Sequence, residues 1–217
     1  MPSSVLSHQA PGLFLKVKFP KKLDGTALCF GTFVPDLGVI LRPFFPFNIY
    51  GFSHSLIGQI LWTIPLAILA TIIFSRFLGP MCANIASKER KLFEPLKYFG
   101  IDQWNYLRNK RFDIIFFIIA TYSALIGGFT HVLLDLPSHA DVYLFYPWTI
   151  WQSPPFLLYP IVDFGTISIG SYTIEASIPV YFLLWQLETH IGLLISLYYL
   201  RYIKKHNLLR KWYEEIK

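Results

Sequence analysis

Residues 55–73 (SLIGQILWTIPLAILATII) form an uncharged apolar run that extends toward Gly79. Wound as a helix, it supplies the roughly 20 residues needed to cross about 30 Å of hydrocarbon. Two other segments repeat the signal. Residues 114–134 (IIFFIIATYSALIGGFTHVLL) carry His131 among otherwise uncharged residues, and 178–200 (IPVYFLLWQLETHIGLLISLYYL) carry Glu188 and His190. A fourth segment, 26–41, is interrupted at Pro35–Asp36. Backbone freed by proline at membrane depth must be satisfied by protein or water, so this segment reads as a broken or re-entrant helix. Composition agrees. Of 217 residues, 54% are hydrophobic and 15% charged, against about a quarter charged in ordinary soluble domains. The expected fold is all-α: a polytopic helical membrane bundle in one domain. Four membrane segments are expected near residues 25–45, 55–79, 112–135 and 177–200.

The net charge of +6 does not point to nucleic acid, because no basic stripe interleaves with aromatics on a soluble element. Lys and Arg sort by connection instead: four in residues 16–22, eight in 76–111, six in 201–217, and Arg42 alone elsewhere. The positive-inside rule then places both termini and the 80–111 loop in the cytoplasm, with 43–54 and 137–176 outside. The protein is accordingly expected in the cell membrane as a multi-pass chain. The first 15 residues hold no Lys or Arg, the reverse of a signal peptide's order. The basic, aromatic-spaced 80–111 loop suits the inner membrane surface. The 137–176 connection (with YLFYPWTIWQSPPFLLYP and then DFGTISIGSYTIE) reads as an outer aromatic cap, with Tyr143, Tyr146, Trp148 and Trp151 at the interface. Cys29 and Cys82 make no paired motif, and no disulfide is expected.

Ionisable residues inside a bundle are costly and mark function by default. Here they are Asp36, His131, Asp135, Glu188 and His190, with His54 at a helix entrance. The topology brings Asp36, His54, His131 and Asp135 to the same outer face. His131 and Asp135 stand four residues apart on one helical face, within reach of one ion. Imidazole with carboxylate suits Zn²⁺, and also Mn²⁺ or Fe²⁺. The bland alternative is a His–Asp pair pinning two helices. Asp36 can equally cap the half-helix after Pro35, and His54 can be an interface residue. His139 follows Asp135 by four residues. Gln186 and His190, also four apart, are supporting groups or plain interhelical hydrogen bonds. His8 reaches the others only if residues 8–19 fold into the membrane.

A Ser-His near the start, a Pro-Asp closing a small-residue segment, a Ser-His-Ser-Leu opening an apolar helix, a Gly-Gly-x-Thr-His-x-x-x-Asp-x-x-x-His run and a late Gln occur in that order. In this the chain resembles domain-of-unknown-function family 4184, a family of prokaryotic integral membrane proteins. The pattern is similar to the membrane-bound metal-dependent hydrolases named for a LexA-binding inner-membrane protein. The resemblance implicates His8, Asp36, His54, His131, Asp135 and His139, with Gln186 in support. Leu136-Pro137-Ser138 departs from the aromatic-Thr more common before the last His.

The reading is a membrane-embedded metal-dependent hydrolase acting on a lipid or lipid-linked ester or phosphoester, with Asp36 or Asp135 as ligand or base. No Gly-x-Ser-x-Gly elbow or phosphate-binding loop suggests other chemistry. The alternative is a non-catalytic membrane protein, either a small transporter or channel or a structural partner subunit. Transporters commonly carry paired repeats and paired broken helices, and one broken segment is evident here. The expected partners are membrane lipid and a lipid-linked substrate.

Overall fold

The computed structural model describes residues 4–169 and 172–214. Among them, four helices are long and apolar enough to cross a membrane: Gly25–Phe44, Leu56–Ala86, Ile114–Ser138 and Val180–Lys205. Three of these helices start at a polar residue whose side chain takes a backbone N–H left over at the first turn. Asp24 accepts from Ala27, Ser55 from Gly58 and Asp113 from Phe116.

The burial pattern is the inverse of a soluble protein's. Large apolar side chains point outward, with Leu61, Ile118 and Leu194 about as exposed as Phe77. The interior is filled by small and polar ones: Ala27, Ala67, Ala120, Ala124, Ser123, Thr63 and Thr71 are all buried. Lipid tails match leucine, so a membrane bundle gains little by hiding it, and close backbone packing takes over. The first and third long helices pack most extensively. Their crossing depends on glycine, because a Cβ on Gly127 would stand 3.0 Å from Gly31 Cα and 3.1 Å from Thr32 N.

Proline shapes two helices without ending them. The expected break in the first helix takes the form of a tightened 3₁₀ turn at Val34–Asp36, and helix continues on either side. The carbonyls there find outside donors: Trp62 Nε1 lies 3.3 Å from Val34 O, and Ser53 Oγ donates to Pro35 O at 2.8 Å. In the second helix the widened π turns Gln59–Thr63 and Phe74–Leu78 precede Pro65 and Pro80. A proline offers no N–H to the carbonyl four residues back, and a wider turn passes that carbonyl to the next donor.

Two features were not evident beforehand. The short helix Gln9–Lys18 lies inside the bundle, against the first and last long helices. Residues 141–179 contain two antiparallel hairpins: β1 (Asp141–Phe145) with β2 (Thr149–Gln152), and β3 (Pro160–Ile169) with β4 (Tyr172–Pro179). β1 packs on the end of the third long helix and on the short helix Ile49–Ser53, so the first hairpin covers the end of the bundle where the histidines gather. Cys29 and Cys82 are free thiols.

Candidate metal centre

The third long helix builds one wall of the site. Ala120, Ala124, Gly127, His131 and Asp135 recur at three- and four-residue steps on its buried face. The small residues hold the first helix close, and the two polar side chains then project into the space just beyond that contact. His131 is fully buried and Asp135 is 3% exposed.

The other donors come from two elements that this packing brings alongside. Asp36 closes the tight turn of the first helix. His54 follows the short helix Ile49–Ser53, whose start is capped by Asn48. Ser53 donates to Pro35 O and so ties His54's segment to the turn that carries Asp36. Ser55 caps the next helix. The Ser-His-Ser sequence therefore fixes the histidine from both sides.

The geometry converges. His131 Nε2 lies 3.3 Å from His54 Nε2, 3.2 Å from Asp135 Oδ2 and 3.8 Å from Asp36 Oδ1. His54 Nε2 lies 3.7 Å from Asp135 Oδ2 and 3.8 Å from Asp36 Oδ1. An ion with bonds near 2.0–2.2 Å holds tetrahedral neighbours about 3.3–3.6 Å apart. These five separations fit such an ion with small movements. The imidazoles are also presented correctly. His54 Nδ1 lies 3.0 Å from the Tyr50 carbonyl and 3.1 Å from Ser53 Oγ. A proton held on Nδ1 by that carbonyl leaves the Nε2 lone pair facing the centre.

His8 does join the site. Its Nδ1 lies 3.0 Å from His131 Nδ1. His8, His131 and Asp135 form a second trio whose donor atoms are mutually close enough for an ion. His139 Nδ1 stands 3.5 Å from Asp135 Oδ1 and 3.1 Å from Ser138 Oγ. Gln186 and His190 are not brought to the centre. His190 is exposed and its Nδ1 approaches the Gln186 carbonyl of its own helix at 2.6 Å.

A cavity of about 210 Å³ opens over the carboxylates, lined by Asp36, Arg42, Tyr50, Asp135, His139 and Trp185 with Val39. A neighbouring cavity of about 280 Å³ shares Tyr50, His139 and Trp185 and adds Tyr143, Tyr181 and Phe182. Burial pushes the Tyr50 phenol up, and the carboxylates of Asp135 and Asp36 push the same way, so it remains a hydrogen-bond donor. Tyr50 and Trp185 went unassigned in the sequence because an aromatic belt accounts for such residues equally well, and Arg42 went unassigned as a lone base outside the three basic groups. Glu188 stood out as an intramembrane acid, yet its partner lies 180 residues away: His8 Nε2, 3.4 Å from Glu188 Oε1.

A model of the domain-of-unknown-function family DUF4184 matches residues 1–214. No curated protein and no solved structure matches the chain.

Proposed function

We propose that this chain, which belongs to the domain-of-unknown-function family DUF4184, is a membrane-embedded metal-dependent hydrolase of a lipid or lipid-linked ester or phosphoester. One observation carries the reading: two imidazole Nε2 atoms lie 3.3 Å apart, and each stands 3.2–3.8 Å from an oxygen of Asp36 and of Asp135, beneath an aromatic-walled cavity. A divalent ion, zinc with manganese or iron as alternatives, supplies Lewis acidity and an activated water when bound there. The protein's own residues do the rest. His54 and His131 offer Nε2, each with the opposite nitrogen engaged. Asp36 and Asp135 would balance the ion's charge, and one of them would take a proton from the attacking water. His139, 23% exposed at its side chain, 3.5 Å from Asp135 Oδ1 and lining the cavity, would receive that proton and return it to the leaving oxygen. Arg42 and Tyr50 line the same cavity, and their side-chain donors suit the anionic oxygens of a phosphoester.

The aromatic wall and the surrounding lipid favour an amphiphile with its scissile bond near the headgroup. The Lys/Arg pattern puts this end of the bundle outside the cytoplasm, with the chain in the cell membrane. Cysteines placed at exposed Tyr159 and Ser87, with Cys29 and Cys82 replaced by Ala, will label from opposite faces of intact cells. Labelling from one face would reverse that assignment.

The test of activity is elemental analysis of purified protein, followed by assay against a panel of phospholipids and lipid-linked phosphates with and without added zinc. About one ion per chain and zinc-dependent release of product are expected. Folded protein that binds no divalent ion, or binds one and turns over no ester, would overturn the hydrolase reading.

A further inference from the structure

We infer that Glu188, acting through His8, is a positioning residue that orients His131 and strengthens it as a ligand; the inference rests on the metal-centre reading above. The last long helix places Glu188, Gly192 and Ser196 at four-residue steps, hence on one face. That face is the seat of the N-terminal segment. Ser196 Oγ donates to the Leu6 carbonyl at 2.8 Å. A Cβ on Gly192 would stand 2.6 Å from the Ser7 carbonyl oxygen and 2.9 Å from Ser7 Cβ, so only glycine admits the chain so closely. Seating Leu6 and Ser7 there leaves the next residue, His8, between Glu188 and His131.

The three side chains then form a line. Glu188 Oε1 lies 3.4 Å from His8 Nε2, and His8 Nδ1 lies 3.0 Å from His131 Nδ1. The two rings meet edge to face at 89°, with centroids 4.6 Å apart. One placement of protons satisfies the whole line. His131 must present a bare Nε2 to the centre, so its proton sits on Nδ1. His8 Nδ1 then accepts that proton's hydrogen bond, which leaves the His8 proton on Nε2, facing the carboxylate. The Thr32 carbonyl also faces the His131 ring and is the competing acceptor. Glu188 Oε1 is buried and makes no hydrogen bond among the described residues, so the 3.4 Å approach of His8 Nε2 is the contact that pairs it. A carboxylate thus polarises a histidine that polarises a ligand histidine, which fixes the ligand's tautomer and raises its basicity. This also explains why a glutamate stands within a membrane helix, where an unpaired carboxylate is costly.

The experiment measures Zn²⁺ affinity by competition with a chromophoric chelator, together with the visible absorption of the Co²⁺-loaded protein. It compares wild type with Glu188→Gln, Glu188→Asp, His8→Ala and the His8→Ala/Glu188→Gln double variant, with folding checked by thermal unfolding in detergent. Glu188→Gln should keep one ion per chain, weaken it about 10- to 100-fold and shift the Co²⁺ bands. Glu188→Asp should recover part of the loss. The double variant should bind no more weakly than His8→Ala, because both changes cut one line. Additive losses, or unchanged affinity and spectrum in Glu188→Gln, would overturn the relay while leaving the metal centre standing. Loss of the ion in His8→Ala with no effect of Glu188→Gln would instead make His8 a direct ligand and also overturn it. Wild-type protein that binds neither ion would remove the metal centre itself.

Discussion

Two buried polar clusters lie against the third long helix, and they solve the cost of burial differently. Near its start, Asp24 meets Lys110 at 2.7 and 2.9 Å while also capping the first helix through Ala27 N. Lys110 reaches Thr26 as well, and the Asp24 backbone N–H donates to Ser123 Oγ. Lys16 sits beside them, donating to the Pro20 and Leu23 carbonyls at 2.6 and 2.8 Å, with its ammonium 4.7 Å from the Trp212 ring. Burial alone would raise the Asp24 carboxyl. The Lys110 ammonium and the donors around it outweigh burial and hold Asp24 below the usual carboxylate range. Near the helix's end, the described ion-pair partners of Asp36 and Asp135 are histidines, with Arg42 lining the cavity beside them. The first cluster supplies its own cations. The second gathers carboxylates around histidines, and on the reading proposed above a cation from outside completes it. A buried charged group is therefore informative about function chiefly through what neutralises it.

The sharpest way to break this contrast is to remove one partner from the self-neutralised cluster. Asp24→Asn leaves Lys110 buried without its counter-charge, and such losses cost about 3–5 kcal/mol. Thermal or denaturant unfolding in detergent should show a loss of that size, while the remaining folded protein keeps its full metal content. Loss of metal at unchanged stability would mean that the two clusters are not the separate devices described here.

The converse applies to the other cluster. An ion that binds only the folded protein stabilises it by about 2.7 kcal/mol at 100 times its dissociation constant. Wild-type protein should therefore unfold later when zinc is added, and His54→Ala should abolish that response with a smaller change in the metal-free baseline. His190→Ala, at an exposed site away from the centre, should leave the zinc response intact. A zinc-dependent gain that survives His54→Ala would place the ion elsewhere.

Much of the second cluster was legible in the chain because its strongest pair is local. His131 and Asp135 share a helix, and their four-residue spacing fixes their relation before any tertiary contact is known. His54 was legible because flanking serines at a helix start leave it little freedom. His8 was the hard case. The helix that follows it has ten residues, too short to span, with Lys16 and Lys18 near its end. Charge patterning alone left it in the cytoplasm. What draws it inward is the seat formed by Gly192 and Ser196, and two small residues in a distant apolar helix carry no address for their partner. The four long helices followed from hydropathy because lipid imposes their length. The hairpins of residues 141–179 did not, since prolines and aromatics there obscure alternation, and such residues serve an interfacial loop equally well. The self-neutralised cluster was hidden for another reason. Lys16 and Lys110 entered the count of cytoplasmic bases, and sequence gives no sign of which bases turn inward.

The smallest effect expected concerns Lys16, and it separates a buried cation from the surface ones around it. Burial lowers the Lys16 amine from 10.5 to about 8; Asp24 opposes the shift and Lys110 adds to it. The sign follows from proton counting. At neutral pH both folded and unfolded chains carry the proton, and the folded state bears the full cost of burying it. As pH rises past about 8 the folded amine deprotonates while the unfolded one, near its ordinary value, does not. The unfolded state then binds more protons, so stability rises with pH, by about 1 kcal/mol between about pH 7.5 and about pH 9. Lys18, Lys21 and Lys22 are exposed. The measurement is the difference in unfolding stability between wild type and Lys16→Met across the window, which cancels the titration of every group the two share. Lys16→Met should cost stability near neutrality by stranding the Pro20 and Leu23 carbonyls. Its deficit relative to wild type should widen as pH rises, because wild type alone gains. A gap that stays constant would mean that Lys16 keeps its ordinary affinity for the proton, and that the cluster beside it is wetter than its packing implies.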